Sequence, residues 1–247
     1  MVRLSVNVNK VATLRNARGG EVPDLLAAVR TILGAGCRGI TVHPRADQRH
    51  IRRADAIAIA GELAPLRDAV EYNIEGDPRP DLIDLVCQLR PHQCTLVPVK
   101  PGEITSQAGW PADTSPEATR ELAAIVRRVQ AEGVRVALFV DPEAAPIRWA
   151  AALGADRVEL YTEPFAVAFA AGHGAAAAAR YGAAAELAHE LGLGVNAGHD
   201  LDLDNLVVFR ELPHLDEVSI GHALISRALF VGLDTVVREY LDLLAAR

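Results

Sequence analysis

Eight short runs rich in β-branched residues recur along this chain, and each is followed by an amphipathic or Ala-rich stretch of helical length. The runs are Arg3–Val8 (RLSVNV), Gly39–His43 (GITVH), Ala69–Glu75 (AVEYNIE) and Cys94–Val99 (CTLVPV). Then come Arg135–Asp141 (RVALFVD), Arg157–Thr162 (RVELYT), Gly194–Ala197 (GVNA) and Glu217–Gly221 (EVSIG). A spacing of roughly 30 residues is the repeat of a βα unit, and eight such units predict an α/β chain folded as a (β/α)8 TIM barrel. The runner-up, an open doubly wound sheet, would usually carry fewer strands. No linker or low-complexity break divides the 247 residues, so residues 1–247 are expected to form a single TIM-barrel domain.

Local signals fit this reading. Gly36 and Gly133 each stand between a helical stretch and a strand, where a C-terminal cap glycine belongs. Thr114-Ser115-Pro116-Glu117 opens a helix with a capping residue and a proline in the first turn. Two connections are long. Lys100 to Thr114 is a candidate lid over the strand ends. Glu163 to Gly174 carries the apolar stretch Phe165–Phe169, which suits either a subunit interface or a buried extra helix.

Composition excludes several roles. A formal net charge of -7 argues against a nucleic-acid binder, which needs a basic face, yet leaves anionic small molecules open. No apolar run reaches the roughly 18 residues of a membrane span. Met1 leads directly into the first strand-like run, so no secretion signal is expected and the chain reads as cytoplasmic. Cys37, Cys87 and Cys94 form neither a CxxC pair nor a zinc spacing, and they read as buried, inert thiols of a reducing compartment.

Catalytic groups of a barrel lie at the C-terminal ends of its strands, and the polar residues here collect there. Asn7 and Asn9 end the first run, with Arg15 and Arg18 beyond. His43 ends the second, followed by Arg45 and His50, and Glu75 ends the third. Glu159 lies within the sixth, His199 follows the seventh, and Gly221-His222 ends the eighth. Any one of these suits a loop histidine or a solvated surface, but together they predict one acid–base site at the barrel mouth. His92, His173, His189 and His214 fall away from that mouth and read as structural.

Glycine lets a phosphate approach the backbone, and the N-terminus of the next helix offers unpaired N–H donors, so the Gly-His pairs after the last two strands suit a phosphate. Arg45, Arg18 and the loop Arg15–Gly19 suggest a second anion site, because a guanidinium grips phosphate with two parallel hydrogen bonds. His43, Glu75, Glu159 and His199 are metal-capable residue types, but nothing in the sequence fixes a metal geometry, and no metal is expected. The only lysines are Lys10 and Lys100, and neither lies inside a strand, which disfavours Schiff-base chemistry.

Four segments together resemble the pyridoxine 5′-phosphate synthase family, and the likeness runs the length of the chain. They are Val6–Gly19 (VNVNKVATLRNARG), Gly39–Arg45 (GITVHPR) with Arg49-His50-Ile51, Val195–His199 (VNAGH) and Ile220–Ala223 (IGHA). The resemblance implies a TIM barrel with extra helices, a homo-octamer, no cofactor, and two phosphorylated small-molecule substrates. The implied reaction condenses 1-deoxy-D-xylulose 5-phosphate with 3-amino-2-oxopropyl phosphate into pyridoxine 5′-phosphate, phosphate and water. It implies proton acceptance by His43 and Glu75, proton donation by His199 and transition-state stabilisation by Glu159. Asn7, Arg18, Gly221 and His222 match positions that hold the aminoketone phosphate, and Arg45, His50 and Thr105 match those that hold the deoxyxylulose phosphate.

The chain departs from the family pattern at two places. The first strand ends in Asn7-Val8-Asn9-Lys10 instead of Asn-x-Asp-His, so Asn9 loses a charge and Lys10 gains a permanent one that suits a phosphate. Asp200 replaces a glycine expected to contact the aminoketone phosphate; its N–H still suits an anion, but its carboxylate must turn away. The alternatives are another phosphosugar barrel isomerase, epimerase or aldolase, or a non-catalytic phospholigand-binding barrel.

Overall fold

The computed structural model describes residues 2–98 and 106–246. Eight parallel strands close into a barrel in sequence order, the first pairing with both the second and the eighth. They are β1 (Arg3–Asn7), β2 (Gly39–Val42), β3 (Glu71–Gly76), β4 (Gln93–Leu96), β5 (Arg135–Val140), β6 (Arg157–Leu160), β7 (Gly194–Ala197) and β8 (Leu215–Ile220). Barrels of unrelated sequence share this topology, and here the eight-unit reading and the fold agree. Most boundaries move by only one or two residues, because pairing to neighbours, not propensity, sets where a strand stops.

Side chains alternate across each strand, and this chain uses the alternation to separate chemistry from packing. The outward positions, among them Leu4, Val6, Ile40, Val42, Ile74, Leu96 and Val136, are buried in the apolar core with helix residues such as Val29 and Ile32. The inward positions are polar. Ser5 and Thr41 hydroxyls pair at 2.7 Å, the Asn73 amide donates to Thr41 at 3.4 Å, and the Thr95 hydroxyl donates to Asn73 at 3.2 Å. Along the neighbouring strands β6 to β8, Arg157 donates to Asn196 at 2.8 Å, and Asn196 to Glu217 at 3.4 Å. Buried polar groups are costly unless paired, and much of the lumen is a hydrogen-bonded network where most barrels stack branched apolar residues.

The helices are α1 (Asn9–Asn16), α2 (Leu25–Gly34), α3 (Arg53–Leu63), α4 (Pro80–Leu89), α5 (Pro116–Gln130), α6 (Ala144–Leu153), α7 (Glu163–Ala170), α8 (Gly174–Glu190), α9 (Leu203–Phe209), α10 (His222–Val231) and α11 (Leu233–Ala245). Ser115 caps α5 by accepting from the Ala118 N–H, with Pro116 in the first turn, as its sequence predicts. Asp24 caps α2 in the same way. Gly36 and Gly133 take left-handed φ angles of 108° and 77° after their helices.

Two readings change and one open alternative is resolved. The end of the first run is not extended: Asn9 and Lys10 open α1, whose N-terminus has no side-chain cap to announce it. The connection after β6 forms an extra helix, α7, which begins Glu163-Pro164 and buries Phe165 against Tyr181 and Phe209. Its face is mixed, with Val167 exposed. Cys37 and Cys94 are buried and their thiols are pushed up by burial, Cys37 to about 11, but Cys87 is only half-buried. Lys100 and Thr105 lie outside the described residues, as do residues 100–105 of the candidate lid.

Candidate active site

The strand ends surround a cavity of about 430 Å³. Around it stand Asn7, Asn9, Lys10, His43, Arg45, His50, Glu75, Glu159, His199, Asp200, Gly221 and His222, so most of the residues singled out in the sequence meet at one mouth. Thr105 lies outside the described residues. Arg18 is exposed and does not line the cavity. Arg15, offered above as part of an anion site, is buried and committed: its guanidinium grips Asp55 with hydrogen bonds of 2.6 and 2.8 Å.

On the β2–β3 side the site is sealed. His43 follows β2 and its Nδ1 lies 4.0 Å from the Glu75 carboxylate. Asn9 fixes this strand end, since its Oδ1 accepts the His43 N–H at 2.9 Å while its own N–H donates to Asn7 Oδ1 at 3.0 Å. Asn7 in turn donates to Glu75 at 3.3 Å. The His43 Nε2 has no hydrogen-bond partner among the described residues. Burial pushes His43 down to about 3, helped by His50 and by the Arg45 and Arg79 charges. Burial raises Glu75 well above the usual carboxylate range, helped by Glu159 and Glu217. Burial thus favours the uncharged form of both groups, imidazole and carboxyl alike.

The glycine after Glu75 is forced by packing. Gly76 has φ 155°, and a Cβ there would stand 2.6 Å from Leu82 and 3.6 Å from the His43 ring. His50 completes this side, edge-on to His43 at 6.0 Å. Its Nδ1 accepts the Ile51 N–H at 2.9 Å, which leaves its proton on Nε2 and makes that nitrogen a donor. Burial, with Arg45 and Lys10 nearby, lowers it to about 4 and keeps it neutral. Arg79 donates to the Pro44 carbonyl and bonds Asp77, bracing the turn that carries Arg45.

The β6–β7 side is more open. Glu159 points inward from β6 with its Oε2 unpartnered among the described residues, and burial raises its carboxyl. His199 follows β7 with its side chain 27% exposed, and its Nδ1 lies 2.5 Å from Asp200 Oδ2. Gly198 is required by contact: a Cβ there would fall 2.0 Å from the Ser219 carbonyl oxygen. Gly221 precedes α10, whose N-terminus has no side-chain cap, so its first N–H groups face the cavity's edge without an internal acceptor. Ser219 and Phe139 also line the cavity and were not singled out. Their signal was present, since both occupy inward positions of the period-two alternation in EVSIG and RVALFVD. Among the described residues, no three His, Cys, Asp or Glu side chains gather as metal ligands. No helix among them is long and apolar enough to cross a membrane.

Comparison with known proteins agrees along the whole chain. A family model described as pyridoxal phosphate biosynthesis protein PdxJ matches residues 4–246. The pyridoxine 5′-phosphate synthase of Christiangramia forsetii is 51% identical over 99% of this chain and 100% of its own length. That of Porphyromonas gingivalis is also 51% identical, with the same coverage. Among solved structures, phosphoribosyl anthranilate isomerase from Thermotoga maritima superposes with a TM-score of 0.57 at 12% identity, covering 99% of this chain and 98% of that one. Thiamine phosphate pyrophosphorylase from Pyrococcus furiosus gives 0.58 at 12% identity, covering 98% and 95%. At such identities these structures speak for the barrel alone.

Proposed function

The chain belongs to the PdxJ family of pyridoxal phosphate biosynthesis proteins, and from that membership we infer that its strand-end site acts as a pyridoxine 5′-phosphate synthase. It joins 1-deoxy-D-xylulose 5-phosphate to 3-amino-2-oxopropyl phosphate and releases pyridoxine 5′-phosphate, phosphate and water. The observation that carries the reading is the meeting of His43, Glu75, Glu159 and His199 around one cavity. Candidate anion-binding groups flank them on both sides.

The amine of one substrate attacks the ketone of the other, phosphate leaves, and an aldol-type closure aromatises with loss of water. Each step moves a proton on or off carbon, nitrogen or oxygen, and several groups of different proton affinity serve that better than one. Neutral His43 suits a proton acceptor. Burial favours the protonated form of Glu75, and an arriving ammonium would favour its ionised form, readying it to accept. His199 suits the donor and Glu159 the stabilising carboxyl. The uncapped N-terminus of α10 with Gly221-His222, joined by Asn7, suits the aminoketone phosphate. Arg45 and the Nε2–H of His50 suit the deoxyxylulose phosphate, with Lys10 at the rim between them. Both phosphates act as handles that position the reacting atoms.

The same proposal includes a homo-oligomer, the octamer of the family, since Leu229 and Phe230 near the end of α10 are 69% and 89% exposed. The free thiols favour a reducing compartment, the cytoplasm. The test is direct. Metal-free protein mixed with both substrates should give pyridoxine 5′-phosphate and free phosphate in equal amounts. No product from folded protein would overturn the reading, and light scattering in solution would decide the assembly.

A further inference from the structure

Asp200 is one of the residues at which the chain departs from the family pattern, and its surroundings give it a use. Its backbone sits at φ 64°, a left-handed conformation that Asp tolerates better than most residues. From there its carboxylate meets the ring of the residue before it, Oδ2 lying 2.5 Å from His199 Nδ1. The segment is clamped on both sides of this contact. Thr162 Oγ1 donates to the His199 carbonyl, Asn205 Nδ2 donates to the Asp200 carbonyl at 3.0 Å, and the Leu201 N–H donates to Gly198 at 3.1 Å. Asn205 is itself buried and held in the capping box of α9 with Asp202. Tyr161 packs edge-on against the imidazole with ring centroids 5.8 Å apart.

We propose that Asp200 is a positioning residue for His199, fixing its ring orientation and tautomer so that proton exchange with substrate passes through Nε2. An imidazole whose Nδ1–H is tied to an acceptor has one tautomer and one face, and this is how a carboxylate readies a histidine for acid–base work. The hydrogen bond from His199 holds the Asp200 carboxyl below its usual range, so it is ionised and acceptor-only at neutral pH. The carboxylate that should repel a phosphate is thereby turned onto the histidine, while the Asp200 N–H remains on the loop for the anion. The role rests on the synthase reading, in which His199 is the donor.

Asp200→Gly is the variant that tests it, because glycine suits a φ of 64° and the loop should keep its path. We expect kcat to fall about 10- to 100-fold, less than the roughly 10⁴-fold seen for a fully buried triad carboxylate, with KM for both substrates within about twofold. Added formate should restore part of kcat by refilling the vacated acceptor position, and Asp200→Asn, which keeps a carbonyl acceptor, should lie between. In a His199→Asn background, Asp200→Gly should cause no further loss. A crystal structure of Asp200→Gly should show the His199 ring rotated or in two conformers. An unchanged kcat, a loss confined to the aminoketone phosphate KM, independent losses in the double variant, or an unchanged ring would each overturn the proposal. Wild-type protein that makes no pyridoxine phosphate would instead overturn the synthase reading, while the ring position in the crystal still judges Asp200 by itself.

Discussion

His43 and His199 stand on opposite sides of one cavity and are held in opposite ways. His43 is buried, rigidly seated by Asn9 through its backbone, and pushed toward neutrality by burial and by neighbouring cations. His199 is partly open to solvent and has a carboxylate on Nδ1. In the proposed mechanism the same residue type would serve as a buried neutral base on one side and as a partly exposed, carboxylate-tied donor on the other. The difference is one of burial: His43 and Glu75 are buried at the ends of β2 and β3, whereas the segment after β7 carries half-buried His199 and exposed Asp200 before Leu201 is buried again. A ring closure that both removes and returns protons is served by groups held in such different settings.

The strongest way to break the comparison is to remove the carboxyl from the sealed side. Glu75→Gln should lower kcat about 10³-fold, within the range that a positioned acid–base group contributes. Its melting temperature should hold or rise, because Glu75 is buried and disfavours its charged form. Steady-state kinetics beside a thermal melt would show this, and a loss below tenfold would move the base elsewhere. On the open side His199→Asn should cost about 10²-fold in kcat with both KM values within about twofold, since solvent can partly replace a donor it already reaches. Equal turnover would remove His199 from the mechanism.

How the two sides differ was only half legible in the sequence. RLSVN, EYNIE and RVEL display the period-two alternation openly, so both the barrel and the convergence of His43, Glu75, Glu159 and His199 could be inferred from position along each strand. Helix α1 was not legible, because Val8 at its N-terminus offers no capping side chain and Asn9-Lys10 reads as a polar strand end. Helix α7 carried a usable sign in Glu163-Pro164, but the apolar run behind it masked the amphipathic pattern. Arg15 looked like an anion ligand because its partner Asp55 lies 40 residues away, a pairing that only the fold makes. The Asp200 contact is local, yet it depends on a left-handed φ that an Asp codon does not declare.

Acidity extends the comparison to the lumen floor. His43 and His50, lowered from 6.5 to about 3 and about 4, refuse protons that the unfolded chain accepts, so stability is lost as pH falls below about 6.5. Glu217, raised by burial from 4.5 to about 7, does the reverse: the folded chain binds a proton first, and stability is gained between pH 7 and 4.5. The two partly cancel. Glu217→Gln removes the gain, so its melting temperature should exceed that of the wild type at pH 8 by a few degrees and fall more steeply between pH 7 and 5. Parallel curves would mean that Arg3, at 3.9 Å, keeps Glu217 ionised in the fold.

The smallest effect is expected where the chain departs from its family on the sealed side. Asn9 works through two neutral hydrogen bonds, accepting from the His43 N–H and donating its own N–H to Asn7. Asn9→Asp keeps the acceptor and the donor, so kcat should stay within about threefold and the melting temperature within about 2 °C. Asn9→Leu keeps the size but loses the acceptor. It strands the His43 N–H at a buried strand end, at a cost of about 1–3 kcal/mol, and should lower the melting temperature by several degrees. If Asn9→Asp instead changed kcat tenfold while the melt held, the missing charge would matter to the chemistry itself. His43 would then depend on the strand-1 end for more than its seat, and the sealed side would no longer be defined by burial alone.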